Sequence, residues 1–318
     1  MNIKKIGLTA LAGSLVSMSA IAGEMSVAGG ASITVEHING NAANSGKVFK
    51  MGNQLTFSGS GELDNGLNVS LSFVIDQADD TAISNAPFDS HSVTVSHDTF
   101  GSLTFAGEGG SSAQALVDDT ATGDLWDFSD GEAAAPTSST SNNMLTYSNS
   151  NIMDGVTLTA SYVPHGASQF ESAVDWGVEY TGVEGLTIGA AMGENNTTKG
   201  SKADVTTYYG SYAYGPITVA FTQTEFDSEA TGAADVDFTA FSVAYTISDE
   251  LSVAYKNAVM ETPNSTSDND QETSGITAAY TAGGMTISAK IANTDNEGYS
   301  TAATADEEIW SLGASFAF

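Results

Sequence analysis

The chain has 318 residues, with 39 Asp and Glu against eight lysines and no arginine, a formal net charge of −31, and no cysteine. A surface this acidic repels phosphate backbones and excludes a nucleic-acid partner; the missing cysteines exclude a disulfide framework and thiol chemistry. The mean hydropathy of −0.06 looks like that of a soluble protein. The same average also arises from strands that set a polar residue beside every apolar one.

Residues 1–22 have the order of a secretory signal: Lys4 and Lys5, an apolar run over 6–21 diluted by small residues, then Ala20-Ile21-Ala22 before Gly23. The competing reading is a membrane anchor, but the run is shorter than the roughly 20 apolar residues a spanning helix needs. The expected organisation is a signal peptide over 1–22 and one domain over 23–318. No later segment has the length of an apolar spanning helix, so insertion into a membrane would have to be as strands.

From Met25 onward the chain alternates apolar residues with Ser, Thr, Gly, Asn and Asp, the period of a strand with two different faces. Leu67, Val69, Leu71, Phe73 and Ile75 fall on one face and Asn68, Ser70, Ser72 and Asp76 on the other, with only Val74 out of place. Met285, Ile287, Ala289 and Ile291 oppose Thr286, Ser288 and Lys290 in the same way. No stretch makes a convincing amphipathic helix. In a sandwich the two faces would be core and solvent, in an outer-membrane barrel lipid and lumen, and periodicity does not choose.

The connections do choose. Tight links at 64–66, 99–101, 150–155, 182–185, 215–216, 248–250 and 282–284 take turns with longer polar links near 39–47, 78–89, 108–142, 165–171, 195–203, 227–235, 262–271 and 295–306. They separate about sixteen strands of about 7 to 14 residues, near the length a tilted strand needs to cross a bilayer. Short turns on one side and long loops on the other are the plan of a transmembrane antiparallel barrel. An even strand number lets the last strand close on the first and leaves no edge.

The last strand, 309–318, sets Trp310, Leu312, Ala314, Phe316 and Phe318 on one face and stops on an aromatic. With this ending, the signal and the sixteen-strand plan, the chain resembles the Gram-negative general diffusion porins of the Rhodobacter type. The phrases Gly-Leu-x-Val-x-Leu-x-Phe at 66–73 and Phe-Gly-Ser-Leu-Thr-Phe-Ala-Gly at 100–107 are similar to that family's strand-turn-strand segments. The resemblance implies an all-β transmembrane barrel of about 16 strands in the bacterial outer membrane, a homotrimer with one pore per subunit, and Phe318 as the signal read by the barrel-assembly machinery. It also implies that the third external loop folds inward and narrows the pore.

That loop, about 108–142, is too long to lack structure in a compact domain without a function. It carries Glu108, Asp118, Asp119, Asp124, Asp127, Asp130 and Glu132 and no basic residue. Carboxylates at a constriction attract cations and oppose anions; the alternative is a solvated external loop. Porins of this type face such a loop with arginines, which this chain lacks. Its substitutes are Lys50, Lys256 and Lys290, each placed by strand parity on the polar, lumen-facing side. Lys199 and Lys202 lie in a loop and read as surface charge.

Trp176, Tyr180, Tyr208, Tyr212, Tyr214 and Tyr245 lie on apolar faces, as interfacial girdles require. A stacking platform for sugars is the alternative reading, but its aromatics would have to face the lumen, where only Tyr209 and Trp126 fit. His37, His91, His97 and His165 form no metal-spaced cluster, and no Gly-x-Ser-x-Gly elbow or phosphate loop is present. The acidic link 264–272, with Asp268 and Asp270, offers at most weak Ca²⁺ binding, so no cofactor is expected. The reading is therefore a non-enzymatic pore for ions and small hydrophilic solutes, cation-preferring, surrounded by outer-membrane lipid. Two alternatives compete: a secreted acidic all-β adhesive protein, which leaves Phe318 and the alternating loop lengths unexplained, and a barrel enzyme, for which no catalytic arrangement is found.

Overall fold

The computed structural model describes residues 25–40, 46–76, 88–118, 133–139, 142–164, 171–195, 202–263, 269–302 and 305–318. Sixteen strands follow in order: β1 (Met25–Asn39), β2 (Gly46–Glu62), β3 (Asn68–Asp76), β4 (Phe88–His97), β5 (Gly101–Glu108), β6 (Met144–Met153), β7 (Val156–Val163) and β8 (Ala173–Val183), then β9 (Leu186–Asn195), β10 (Ala203–Tyr214), β11 (Ile217–Ser228), β12 (Val236–Thr246), β13 (Leu251–Glu261), β14 (Gln271–Ala282), β15 (Met285–Asp295) and β16 (Glu307–Ala317). Each pairs antiparallel with its sequence neighbours, and β16 pairs with β1 to close the barrel. Most strands keep the expected length; β1 and β2, with 15 and 17 residues, exceed it.

Six of the seven short turns place glycine in the backbone region that other residues avoid, and the seventh, 248–250, is held by the Ser248 hydroxyl, which accepts from the Glu250 and Leu251 amides. Gly66, Gly101, Gly155, Gly185, Gly215, Gly283 and Gly284 all have positive φ. Val74 stays on the inward face, opposite Thr56 of β2; the β3–β4 register shifts beside it, where Ser90 and Phe88 of β4 oppose Val74 and Ile75 and leave Asp89 as the extra residue of a bulge. Helix is not wholly absent. A one-turn α1 (Ala115–Asp118) and a 3-10 turn (Glu297–Tyr299) lie in connections, where tertiary contacts set them.

The apolar faces point outward. Ile33, Met51, Leu71, Phe105, Trp176, Phe221, Val243 and Ile291 are exposed on the barrel's outside, whereas the inward face is built mostly of Ser, Thr, Gly and Ala, with a few charges and a few buried larger residues such as Phe238 and Tyr209. Hydroxyls pair across neighbouring strands on the inner wall, as in Thr94–Thr104 at 2.8 Å and Thr207–Thr224 at 2.8 Å. Outward tyrosines and tryptophans gather toward strand ends: Tyr162, Trp176 and Trp310 near the long-loop side, Tyr180, Tyr214, Tyr245 and Tyr280 near the short-turn side. The girdle is incomplete. Neither Tyr nor Trp occurs before Trp126, so β1–β5 present no residue of either type.

Candidate functional site: the loop inside the barrel

The connection from β5 to β6 does not stay outside. Its outgoing leg, Gly109 to α1, and its return leg, 133–139, both run within the lumen, where Ser112, Ala113, Gln114, Ala133 and Ser138 are almost completely buried against the wall. Ser112 starts α1, its hydroxyl accepting from the Ala115 amide at 3.0 Å. A buried loop must satisfy its backbone polar groups, and here the wall supplies the partners.

On the β7–β11 side the partners form a clasp. Ala113 N–H donates to Ser161 Oγ on β7 at 2.8 Å, and Ser161 donates onward to Asp175 Oδ2 on β8 at 2.9 Å. The other oxygen of Asp175 accepts from the Glu194 amide on β9 at 2.9 Å. Glu194 uses its carbonyl to hold the return leg, accepting from Ser139 N–H at 3.0 Å, and Asn195 Nδ2 donates to Thr137 O at 3.0 Å. Gln114 ties the legs to each other: its carbonyl oxygen accepts from Ser138 N–H at 2.7 Å and its amide donates to Thr207 Oγ1 on β10 at 2.7 Å. Ser112 and Ser138 hydroxyls meet at 2.5 Å and both face Asp175. Asp175 reaches this position past Gly193, where a Cβ would overlap the carboxylate.

The loop then spans the lumen. Ala133 N–H donates to Thr273 Oγ1 on β14 at 3.0 Å, and its methyl sits in an apolar seat formed by Phe238, Ala240 and Ala258. Strand β14 lies eight strands around the closed order from β6, half the circumference. The wall beside the outgoing leg holds a cavity of about 330 Å³, lined by hydroxyls of Ser72, Ser92, Thr104 and Thr146 together with Glu108.

All three predicted wall lysines face inward, but they do not form one ring. Lys256 and Lys290 line a single cavity of about 250 Å³ with Ser252, Thr277 and Ser311. The register places them just below the far seat of the loop: Ala258 pairs with Thr273, Lys256 with Gly275, and Lys290 with Thr277, each step on the same face advancing about 7 Å toward the short-turn end. Lys50 is on β2, three strands from β15, and pairs instead with buried Glu36 at 3.1 Å. Of the acidic set, Glu108 ends β5 and faces the lumen, and the backbone of Asp118 closes α1. Asp119, Asp124, Asp127, Asp130 and Glu132 lie outside the described residues, as do residues 1–24 and Asp268.

Tyr209 does face inward; its ring lies over Gly189 and its hydroxyl donates to Glu179. Lys202 is more than surface charge: it bridges Glu194 at 2.9 Å and Asp204 at 3.7 Å at the mouth of the barrel, and the pairing raises its pKa. Phe318 seals the seam, exchanging backbone hydrogen bonds with Gly29 of β1. No group of three or more His, Asp or Glu suited to a metal occurs among the described residues. Asp175, Ser161, Gln114 and Thr273 escaped the sequence reading. Asp175 shares its inward parity with Glu179 on the same strand and with Glu36 on β1, so residue type and parity alone did not single it out.

A closed barrel with an apolar exterior, a hydroxyl-rich lumen and a connection folded across that lumen defines a transmembrane channel protein. This chain belongs to the Gram-negative porin family, whose model matches residues 7–299, and its place is the bacterial outer membrane. No curated protein sequence matches it. Solved structures share the fold at low identity. An engineered variant of Rhodopseudomonas blastica porin is 16% identical, with a TM-score of 0.71, over 93% of this chain and 100% of that one. OmpT, an outer membrane protein of Vibrio cholerae, is 16% identical with a TM-score of 0.66, over 95% and 99% of the respective chains.

Proposed function

We propose that the protein is a passive, water-filled channel that prefers cations, working as a homotrimer after removal of residues 1–22. The observation that carries the preference is the loop: both of its described legs lie in the lumen, and the sequence joining them has five carboxylates and no basic residue. Carboxylates at the narrow part of a pore lower the barrier for cations and raise it for anions, and low-dielectric walls strengthen the effect. Lys256 and Lys290 give the opposite wall a smaller positive patch, while the charge of Lys50 is matched by Glu36. The gap in the aromatic girdle supports the trimer. A face without Tyr or Trp lacks the residues that settle a barrel at the lipid headgroups, and β1–β5 suit burial against another copy.

The test is the reversal potential of the refolded protein in a planar bilayer under a KCl gradient. Cation selectivity that falls when Asp119, Asp124, Asp127 and Asp130 are changed to Asn supports the reading. Anion selectivity, or cation selectivity untouched by the four substitutions, overturns it.

A further inference from the structure

The barrel is closed by sixteen strand ladders, none of which involves the loop. What the loop needs is a fixed position, and the contacts that give it one are unevenly distributed. On the far wall, among the described residues, the loop backbone is held by Ala133 N–H on Thr273 and by a weak Ala134 N–H contact with Met260 Sδ at 3.3 Å. On the near wall both legs converge on one buried side chain. Asp175 is 1% exposed, and each of its oxygens serves a different leg: Oδ2 through Ser161 to Ala113 on the way out, Oδ1 through the backbone of Glu194, whose N–H it accepts and whose carbonyl takes Ser139, on the way back.

The chemistry of this arrangement is directional. A carboxylate only accepts, so it forces the Ser161 hydroxyl to donate toward it and leaves the Ser161 lone pairs facing the Ala113 amide. Hydrogen bonds to a charged acceptor are also stronger than neutral ones. Replacing the carboxylate by a group that cannot accept twice frees the Ser161 rotor and leaves the Glu194 amide unbound, so the supports of both legs are loosened at once. Gly193 is the complementary piece, since its missing side chain is the space the carboxylate occupies.

We propose that Asp175 is the positioning residue of the constriction: by holding both legs of the in-folded loop to β7–β9 it sets the pore's cross-section and selectivity. The proposal rests on the channel reading above and adds to it the device that fixes the loop.

The experiment uses the refolded full-length mature protein and its Asp175→Ala and Asp175→Asn variants. Three readouts are taken: single-channel conductance, reversal potential, and the temperature at which the folded barrel loses its fast mobility on a denaturing gel. Asp175→Ala should raise conductance and move the reversal potential toward zero while leaving the gel transition in place; Asp175→Asn, which keeps one acceptor oxygen, should fall between. Because the chain has no cysteine, the pair Ala113→Cys and Ser161→Cys can be added to the Asp175→Ala background, joining the outgoing leg covalently to β7. Oxidation should then restore wild-type conductance, and reduction should release it. If Asp175→Ala conducts like wild type, or if oxidation restores nothing, the positioning role is wrong. A conductance that rises and is restored by oxidation, with a reversal potential flat throughout, leaves the cross-section role standing, removes the selectivity role, and counts against the cation-preferring loop rather than the clasp.

Discussion

Gln114→Met tests the energetics of the loop most directly. Methionine has nearly the volume of glutamine, so the substitution keeps the packing of a fully buried side chain and removes its polar contacts. Thr207 keeps Thr224 as a partner, at 2.8 Å. The Ser138 amide, buried and bonded to Gln114 Oε1 at 2.7 Å, is left without that acceptor. An orphaned buried donor costs about 1–3 kcal/mol; at about 2 kcal/mol the ratio of released to seated loop should rise roughly 30-fold. Single-channel recordings at fixed voltage read this ratio as dwell times in the wider level over dwell times in the main level. A dwell-time ratio within about twofold of wild type, from a variant whose barrel is intact, would show that the loop is held by something other than these hydrogen bonds, and the magnitude above would fail.

Gly193→Ala should mimic loss of Asp175 by crowding the carboxylate out of its place, at about 1–3 kcal/mol for overpacking; an unchanged conductance would count against the clasp. For the assembly, Leu103→Trp on the tyrosine-free face should overpack the contact and weaken the trimer on a mild gel, while Val243→Trp on the girdled face should not; an equal effect of both would reject the β1–β5 interface. The Lys202 ion pairs carry a pH signature. The pKa of Lys202 is raised in the folded state by Glu194 first and Asp204 after it, so their contribution is complete below the ordinary lysine value of 10.5 and disappears as pH rises through the higher folded value. The difference in thermal stability between wild type and Lys202→Gln should therefore be constant at neutral pH and vanish in strong alkali; a difference that persists there would assign it to packing instead.

Much of the barrel could be read from the sequence because its rules are local. Alternation over 67–76 depends only on neighbours two apart, and turn positions such as Gly66, Gly185 and Gly283 announce themselves by residue type. Val74 breaks that pattern as an apolar residue on the inward face, and the bulge opposite it, at Asp89 of β4, cannot be read from β3 alone. The convergence of Lys256 and Lys290 needed the register of three strands, which no single strand contains. The clasp lay furthest out of reach: Ala113 meets a residue 48 positions on, Gln114 one 93 on, and Ala133 one 140 on. Such pairings follow from barrel closure, and a hydroxyl that anchors the loop has the same local pattern as one that only faces water.

The seam has a consequence for how this molecule comes into being. Gly30 pairs with Ala317, and nine further pairs follow up to Asn39 with Glu308, so β1 finds its second partner only in the last residues of the chain. The entropic cost of joining such distant segments grows slowly with length, yet contacts of this range come late and set the pace of folding. Until they form, β1 and β16 are both open edges able to pair with the wrong strand. Phe318 lies at this junction, its ring over Gly29 and its backbone bonded to the same residue. A chain cut short before β16 would retain nearly every local instruction for the barrel and lack its closure, leaving two unsatisfied edges at the membrane.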